Sequence, residues 1–404
     1  MGRCALKKND IVPLSPLASA VVWACLIFPV VFSSGDSNPL LLPAIVIATI
    51  AFALKLLQEY RCDGVVLKYA AAMFVLALIQ LIGCFFVQDI LSIRYVFYIV
   101  AITLFSCCFI TNSLKPSANL IAGIGAIAIL IRFIMYLFDN TTLESKNTLP
   151  GILVFVIAYM VFCHFRDCEE HGVGLGHYRI RIAVLLVSII LAIIMIDITK
   201  SRTALIVFAI IVILYLALAM TKPSSKALKI MFFALVILLF VGLYVYVNAK
   251  NFGWYDFLNN YSVRLFGKNI DSSRPALWAE ALSSLDSHFI LGLGTGAQPG
   301  GSFAGKSFHN TFLQLLVQNG IVGLVVFVAT LGFLWIQISK NACSQTTFFS
   351  IAVFTGIIIY NCFECTLLCN KLALGFIEWL LIASASYSPT EQRERPKGLA
   401  CRNW

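Results

Sequence analysis

The chain has 404 residues, of which 60% are hydrophobic and only 12% are charged. About a quarter of the residues of a typical soluble domain are charged, so this chain lacks the polar side chains that would cover a water-exposed surface. The net charge of +10 does not indicate nucleic-acid binding, because the basic residues are spread through short segments between apolar runs instead of forming one basic face. The composition therefore predicts a membrane protein.

A transmembrane helix needs about 20 predominantly apolar residues. Twelve segments fit this length and composition: 15–33, 39–57, 68–87, 91–112, 118–138, 149–165, 180–198, 203–221, 227–248, 311–338, 345–362 and 371–387. We therefore expect an all-α polytopic membrane protein with about twelve transmembrane helices.

The distribution of Lys and Arg in the short loops predicts the orientation of these helices, since cytoplasmic loops carry an excess of both. The excess lies on the side that holds both termini, which are therefore predicted to be cytoplasmic. The predicted organisation is nine helices in 1–248, a large non-cytoplasmic loop with short amphipathic helices in 249–310, three helices in 311–387 and a cytoplasmic tail in 388–404. A loop of this length is usually functional.

Arg202 lies at the predicted N-terminus of the eighth span, where Ser201 or Thr203 can cap the helix. The positive end of a helix dipole and a guanidinium together favour phosphate. The alternative is an arginine at the membrane interface that reaches the lipid headgroups. Asp197, one turn earlier, can pair with Lys200 or with Arg202.

Within the long loop, 271–285 predicts a short amphipathic helix, capped by Ser272 or Ser273 and with Pro275 in its first turn. Its apolar face is expected to lie on the membrane surface or on the helix bundle; that face holds Leu277, Trp278, Ala281, Leu282 and Leu285. Arg274, in the first turn beside unpaired backbone N–H groups, is a candidate anion-binding residue or else an ordinary surface arginine.

His309 and Asn310 immediately precede the tenth span. A helix N-terminus and neighbouring arginines disfavour the imidazolium, so we expect a neutral ring that can accept a proton as a general base. The alternative is a structural histidine. The glycine-rich stretch 292–296 does not fit a dinucleotide-binding fingerprint, and we interpret it as a flexible turn that shapes the site.

Cys362, Cys365 and Cys369 have a spacing that is compatible with a metal site, a disulfide or simple packing. Packing is favoured, since no histidine lies nearby and Glu364 is the only acidic neighbour. No Asp-rich motif points to a divalent cation. We therefore expect a metal-independent reaction that uses no cofactor.

Taken together, five short motifs resemble the O-antigen ligase and polymerase superfamily, strongest over 195–335. They are Ser201-Arg202-Thr203-Ala204, Ser273-Arg274-Pro275-Ala276-Leu277-Trp278, Gly292-Leu293-Gly294-Thr295-Gly296, His309-Asn310-Thr311-Phe312-Leu313-Gln314 and Asn319-Gly320-Ile321-Val322-Gly323. The members of this superfamily are bacterial inner-membrane enzymes with about a dozen spans and one large periplasmic loop.

The resemblance implies transfer of glycan from an undecaprenyl-diphosphate-linked donor to a sugar hydroxyl of the lipid A-core, at the periplasmic face and with inversion. By analogy, His309 would be the catalytic base, Arg202 and Arg274 would bind the diphosphate, and Ser201 and Asn310 would support them. Arg264 is a further diphosphate-binding candidate without a firm motif. The implied partners are this donor, this acceptor and membrane lipid, without nucleic acid.

Two other functions remain open at this level. A polymerase of the same superfamily would use a second lipid-linked repeat unit as its acceptor, and the single long loop between the ninth and tenth spans favours the ligase. A secondary transporter would show an internal repeat and polar groups at the bilayer centre. The sequence contains no convincing repeat, and its strongest polar cluster lies at the outer surface.

Overall fold

The structure, a computed structural model, is all-helical in the residues it describes, which are 16–32, 64–87, 92–111, 116–138, 148–172, 175–267, 269, 274–368 and 371–387. Its α-helices are α1 (Pro16–Phe32), α2 (Gly64–Val87), α3 (Ile93–Ile110), α4 (Ala118–Phe138), α5 (Thr148–His171), α6 (Leu175–Thr199), α7 (Arg202–Thr221), α8 (Ser225–Val247), α9 (Tyr255–Phe266), α10 (Arg274–Ser283), α11 (Thr311–Ser339), α12 (Gln345–Asn361) and α13 (Leu372–Ser386). Two short 3-10 turns complete the order, at Ala249–Asn251 and Gly301–Phe303.

Eight of these helices are long and apolar enough to cross a membrane: α2 to α8 and α11. Three shorter apolar helices, α1, α12 and α13, have 17, 17 and 15 residues. The predicted all-α architecture with multiple membrane-spanning helices is therefore confirmed. The predicted number of twelve and the orientation of the termini stay predictions, and the predicted span 39–57 lies outside the described residues.

The packing distinguishes a central helix from a peripheral one. In α5, 89% of the span is buried, because α1, α4, α6, α12 and α13 all pack around it. In α8 only 6% of the span is buried, although its composition is more apolar than that of α5. A helix that is apolar on every face needs either protein or lipid around it, so α8 has most of its surface available to lipid.

One end of the bundle holds the starts of α5 and α13 and the end of α2, and we call it the site end. There the Lys371 ammonium donates to the hydroxyl of Thr148, which joins the starts of α13 and α5. A Cβ on Gly83, near the end of α2, would lie 2.5 Å from the hydroxyl of Thr295, so the long loop also returns to this end.

The long loop between α8 and α11 contains two short helices, α9 and α10. The helix predicted at 271–285 is present as α10, and the proposed caps Ser272 and Ser273 lie outside the described residues. Of the two predicted locations for its apolar face, the structure supports the bundle, since Leu277, Trp278 and Ala281 are buried where α10 packs on α8 and α11.

Candidate active site

His309 occupies a constrained turn at the start of α11. Its φ of +50° is in the left-handed region, which costs a non-glycine residue of order 1–3 kcal/mol and persists only where its surroundings fix it. Asn310 caps α11, since its side chain accepts from the backbone N–H of Leu313 at 2.9 Å. The indole of Trp278 donates to the carbonyl of Phe308 at 2.8 Å, so α10 holds the residue before the histidine.

Glu364, in the connection between α12 and α13, brings the candidate residues together. Its carboxylate accepts from Arg274 Nη2 at 3.2 Å and lies 3.5 Å from His309 Nδ1 and 3.7 Å from Lys371 Nζ. The Glu364 side chain is 2% exposed, whereas that of His309 is 39% exposed. A buried anion is therefore shared by two cations and by one ring that remains accessible.

The charge state of Glu364 follows from these neighbours. Burial alone would raise the pKa of its carboxyl, but the adjacent His309 ring and the charges of Lys371 and Arg274 outweigh burial and lower the pKa from 4.5 to about 2. The carboxylate is thus ionised at neutral pH. An ionised carboxylate beside Nδ1 orients an imidazole and stabilises the positive charge that the ring acquires with a proton.

A second layer of hydrogen bonds fixes the backbone that carries Glu364. The Asn361 amide oxygen accepts from the Thr311 hydroxyl at 2.7 Å and from the backbone N–H of Leu367 at 3.0 Å. The Asn361 amide nitrogen donates to Glu378 at 3.1 Å, and Thr366 donates to the same carboxylate at 2.8 Å. These bonds tie the start of α11 to the connection between α12 and α13, so His309 and Glu364 keep a fixed relationship.

Arg202, the first residue of α7, contacts the long loop. Its Nη1 donates to the Ser262 hydroxyl and to the Asn269 carbonyl, each at 2.8 Å. On the packed faces of α7 and α12, a Cβ on Gly356 would lie 3.3 Å from Val207. The two helices are antiparallel. Arg202 lies five residues before Val207, and Asn361 lies five residues after Gly356. At about 1.5 Å per residue, Arg202 is therefore level with Asn361.

The other sequence candidates occupy less constrained positions. Ser201 is the N-cap residue of α7, but its side chain makes no capping hydrogen bond. Arg264, in the last turn of α9, is exposed. Asp197 pairs with Lys200 at 2.9 Å, one of the two pairings that the sequence allowed.

The glycine-rich stretch is braced, in contrast to the flexible turn predicted for it. Gly320 interrupts α11 with a φ of +64°, and a Cβ there would overlap the carbonyl of Ile290. The loop supplies the missing backbone partners, since Ile321 N–H donates to Phe289 at 2.9 Å and Leu293 N–H donates to Val317 at 2.8 Å. Broken helices within membranes need such internal partners.

The cysteines add no metal centre in the described part of the chain, where no group of three His, Cys, Asp or Glu side chains could hold a metal ion. Cys362 and Cys365 are free thiols, and Cys369 lies outside the described residues. Burial raises the pKa of the Cys365 thiol to about 12. Its sulfur accepts from the backbone N–H of Asn310 at 3.1 Å, so Cys365 packs against the turn that holds His309.

We call Arg274, His309, Glu364 and Lys371 the Glu364 cluster. Sequence reasoning did not identify two of its members, Glu364 and Lys371. The only signal for Glu364 is an acidic residue just beyond an apolar segment, where charges are costly and often functional. Neither residue lies in the five motifs, and both approach Arg274 and His309 only through tertiary packing.

Comparison with known families identifies the segment that holds most of these residues. Residues 187–328 match the family described as O-Antigen ligase. The resemblance to the O-antigen ligase and polymerase superfamily is confirmed. The matched segment includes Arg202, Arg264, Arg274, His309 and Asn310 and ends before Glu364. A search of curated proteins found no match to the chain.

The side chains around Glu364 offer two kinds of chemical group. Arg274 and Lys371 provide positive charge for an anion, and His309 provides an exposed ring with one nitrogen directed at a carboxylate. The matched family implies lipid-linked glycan substrates in a membrane lipid context.

Proposed function

We propose that the protein is an O-antigen ligase, which transfers glycan from undecaprenyl diphosphate to a sugar hydroxyl of the lipid A-core at the periplasmic face of the inner membrane. The observation that carries this proposal is the Glu364 cluster, in which one buried carboxylate lies 3.2 Å from Arg274 and 3.5 Å from His309. A base and an anion-binding guanidinium are thereby held side by side, as glycosyl transfer from a diphosphate requires.

In this proposal Arg274 and Arg202 bind the diphosphate and stabilise the charge that develops on it as it leaves. Arg274 remains able to do so, because a guanidinium has five N–H donors and only one hydrogen bond to Glu364 is formed. Arg202 would exchange its neutral acceptors, Ser262 and Asn269, for phosphate oxygens. Arg264 would add positive charge at the approach to the site, and Ser201 would support the start of α7.

His309 acts as the base. With the Nδ1 proton directed at Glu364, the other ring nitrogen has a lone pair for the acceptor hydroxyl. As the proton of the acceptor hydroxyl moves to this nitrogen of His309, the acceptor oxygen forms a bond to the anomeric carbon, and the bond from that carbon to the phosphate oxygen breaks. A single displacement of this kind inverts the anomeric configuration, and the lipid diphosphate leaves with the bonding electrons. Asn310 supports the base by capping α11 directly beside it.

This reaction needs no metal, because the arginines carry the counter-charge, and it needs no ATP, because the donor's glycosyl phosphate bond supplies the free energy. Its site must lie where a lipid tail can remain in the bilayer while the headgroup reaches cations. Arg202 is the first residue of α7, and His309 lies just before the start of α11. Both helices are long and apolar enough to span a membrane, so both positions satisfy this requirement.

The direct test is the lipopolysaccharide pattern of a deletion strain complemented with wild type, His309→Ala or His288→Ala. His288 is a matched control, since it lies in the same long loop and is exposed. We expect the deletion to leave bare core with accumulated lipid-linked polymer, wild type and His288→Ala to restore the ladder, and His309→Ala to fail at equal protein levels.

Other outcomes identify other functions. Core that bears a single repeat unit in the deletion strain would assign the protein as a polymerase. An unchanged ladder would reject both activities. Full rescue by His309→Ala would remove the proposed base from the mechanism.

A further inference from the structure

An apolar groove runs from the candidate active site down the lipid-facing side of the bundle. Its walls are one face of α8, the opposing face of α11 and the end of α12. On α8, Val236, Leu239 and Leu243 face the groove, and on α11 it is lined by Leu316 and Val328. Twelve residues of α8, from 232 to 243, follow it, and the eleven steps between them at 1.5 Å each give a length of roughly 16 Å.

The polar members of the lining lie at the site end. Asn310 lines the groove and is the neighbour of His309, and Cys362 lines it two residues before Glu364. Every other described lining residue is aliphatic or aromatic. The groove therefore begins at the candidate catalytic residues and is apolar below them, which is the polarity of a lipid with a charged headgroup.

Arg274 is positioned at the mouth of this groove. Trp278 of α10 contacts Tyr246 at the end of α8, with ring centroids 5.0 Å apart, and both rings contact Phe363. The Arg274 guanidinium lies 5.9 Å from the centre of the Phe363 ring, and Phe363 directly follows Cys362. A phosphate group on Arg274 would thus have the groove directly below it.

The groove is open to lipid because α8 has few packing partners. Leu238, adjacent to Leu239 but on the outer face of α8, is 65% exposed. A chain can therefore enter sideways from the bilayer.

From these observations we infer that the α8–α11 groove binds the polyisoprenoid chain of the glycan donor, with the diphosphate at Arg274. The inference rests on the proposed function, since it takes the donor to be a lipid diphosphate. Because the bilayer is as apolar as the groove, the groove selects such a chain by close van der Waals packing and shape. The acyl chains of the acceptor would then lie elsewhere on the bundle.

The first test uses the full-length protein in proteoliposomes with two donors, one with an undecaprenyl chain and one with a three-isoprene chain. Leu239→Trp fills the groove, and Leu238→Trp adds the same bulk to the outer face of the same helix. We expect Leu239→Trp to raise KM for the long-chain donor about tenfold, to change KM for the short-chain donor less than twofold and to leave kcat similar. We expect Leu238→Trp to match wild type with both donors.

Equal KM values for wild type and Leu239→Trp with the long-chain donor would overturn the inference. So would an equal rise in KM for both donors, since this would indicate damage to the headgroup site. Wild type that transfers no glycan from either donor would contradict the proposed function instead.

A second measurement needs no variant and no turnover. A benzophenone-bearing polyprenyl diphosphate is cross-linked to wild-type protein, and the labelled peptides are mapped. Labelling of 232–243 or 312–331 that undecaprenyl diphosphate removes would support the groove. Labelling there that only the acceptor lipid removes would assign the groove to the acceptor, and labelling that neither removes would indicate bulk lipid. Both results would overturn the inference.

Discussion

The two short helices of the long loop, α9 and α10, show how similar patterns acquire different roles. α10 buries its apolar face, with Leu277, Trp278 and Ala281 at 4%, 2% and 4% exposure, and its Arg274 is paired with Glu364. α9 exposes its apolar face, with Phe257 and Leu265 at 62% and 69% exposure. An amphipathic pattern reports that one face needs an apolar neighbour, but the path of the chain decides whether that neighbour is protein or lipid.

The nature of the anchoring differs as well. α10 packs on α8 and α11, and its indole bonds to the residue before His309. On α9, the Ser262 hydroxyl accepts a hydrogen bond from Arg202 at the start of α7. We therefore expect α10 to be part of the rigid catalytic structure and α9 to lie along the lipid headgroups, where exposed aromatic side chains are favoured.

The largest expected effect separates the two apolar faces. Trp278→Ala should lower the free energy of unfolding by about 3–5 kcal/mol, since it removes a fully packed ring and its hydrogen bond to Phe308. Phe257→Ala, the matched aromatic truncation on α9, should change it by less than about 0.5 kcal/mol. Thermal unfolding in one detergent measures both. Equal losses would mean that α9 is packed as tightly as α10.

Removal of Glu364 tests the cluster that α10 contributes to. Glu364→Gln leaves Arg274 and Lys371 without their buried counter-ion and should destabilise the protein by about 3–5 kcal/mol. The pKa of this carboxyl is depressed to about 2 from 4.5, so its contribution is fully present above pH 4.5 and is lost as the pH falls toward 2.

The difference in unfolding temperature between wild type and Glu364→Gln should therefore be constant from pH 8 to pH 5 and shrink below pH 4.5. Glu280→Gln, which removes a carboxylate of α10 that lies beside Gly300 and Gly301, serves as the control and should show no such dependence. A difference that already shrinks between pH 7 and pH 5 would mean that the three neighbours do not hold Glu364 ionised.

Arg274 is expected to dominate catalysis among the basic residues of the two helices. Arg274→Ala should lower kcat/KM by about 10²–10³, the usual cost of losing one charged donor at a developing anion. Arg274→Lys keeps the charge but loses the fork of donors that can contact Glu364 and phosphate together, so it should recover only part of the activity. Full activity in Arg274→Ala would remove the residue from the diphosphate site.

Much of the molecule was predictable from its sequence, and the exceptions have physical reasons. Long apolar runs identify α2 to α8 and α11 because a helix must satisfy its own backbone within lipid. Arg274 and His309 were predictable as candidate residues from motifs that occur near helix starts. Glu364 was not, because it contacts them across 90 and 55 residues and its role exists only once α10, α11 and α12 have packed.

The structure of α9 gave a similar difficulty. Leu258, Tyr261 and Leu265 of α9 recur at helical spacing, yet nothing in that pattern distinguishes lipid from protein as their neighbour. The groove beside α8 was equally unpredictable, since a groove is a property of two surfaces. In both places, local sequence fixes what a face requires and the packing of distant segments supplies it.

The smallest expected effect concerns Arg264, the basic residue at the exposed end of α9. An exposed charge attracts an anionic headgroup over about a Debye length, so it should affect KM more than kcat and lose its influence in salt. Arg264→Ala should raise the donor KM about two- to threefold at low ionic strength and have no measurable effect at about 0.5 M salt, with Arg264→Lys close to wild type. A large, salt-independent loss of kcat would instead place Arg264 directly on the diphosphate, and α9 would then share the catalytic role assigned to α10.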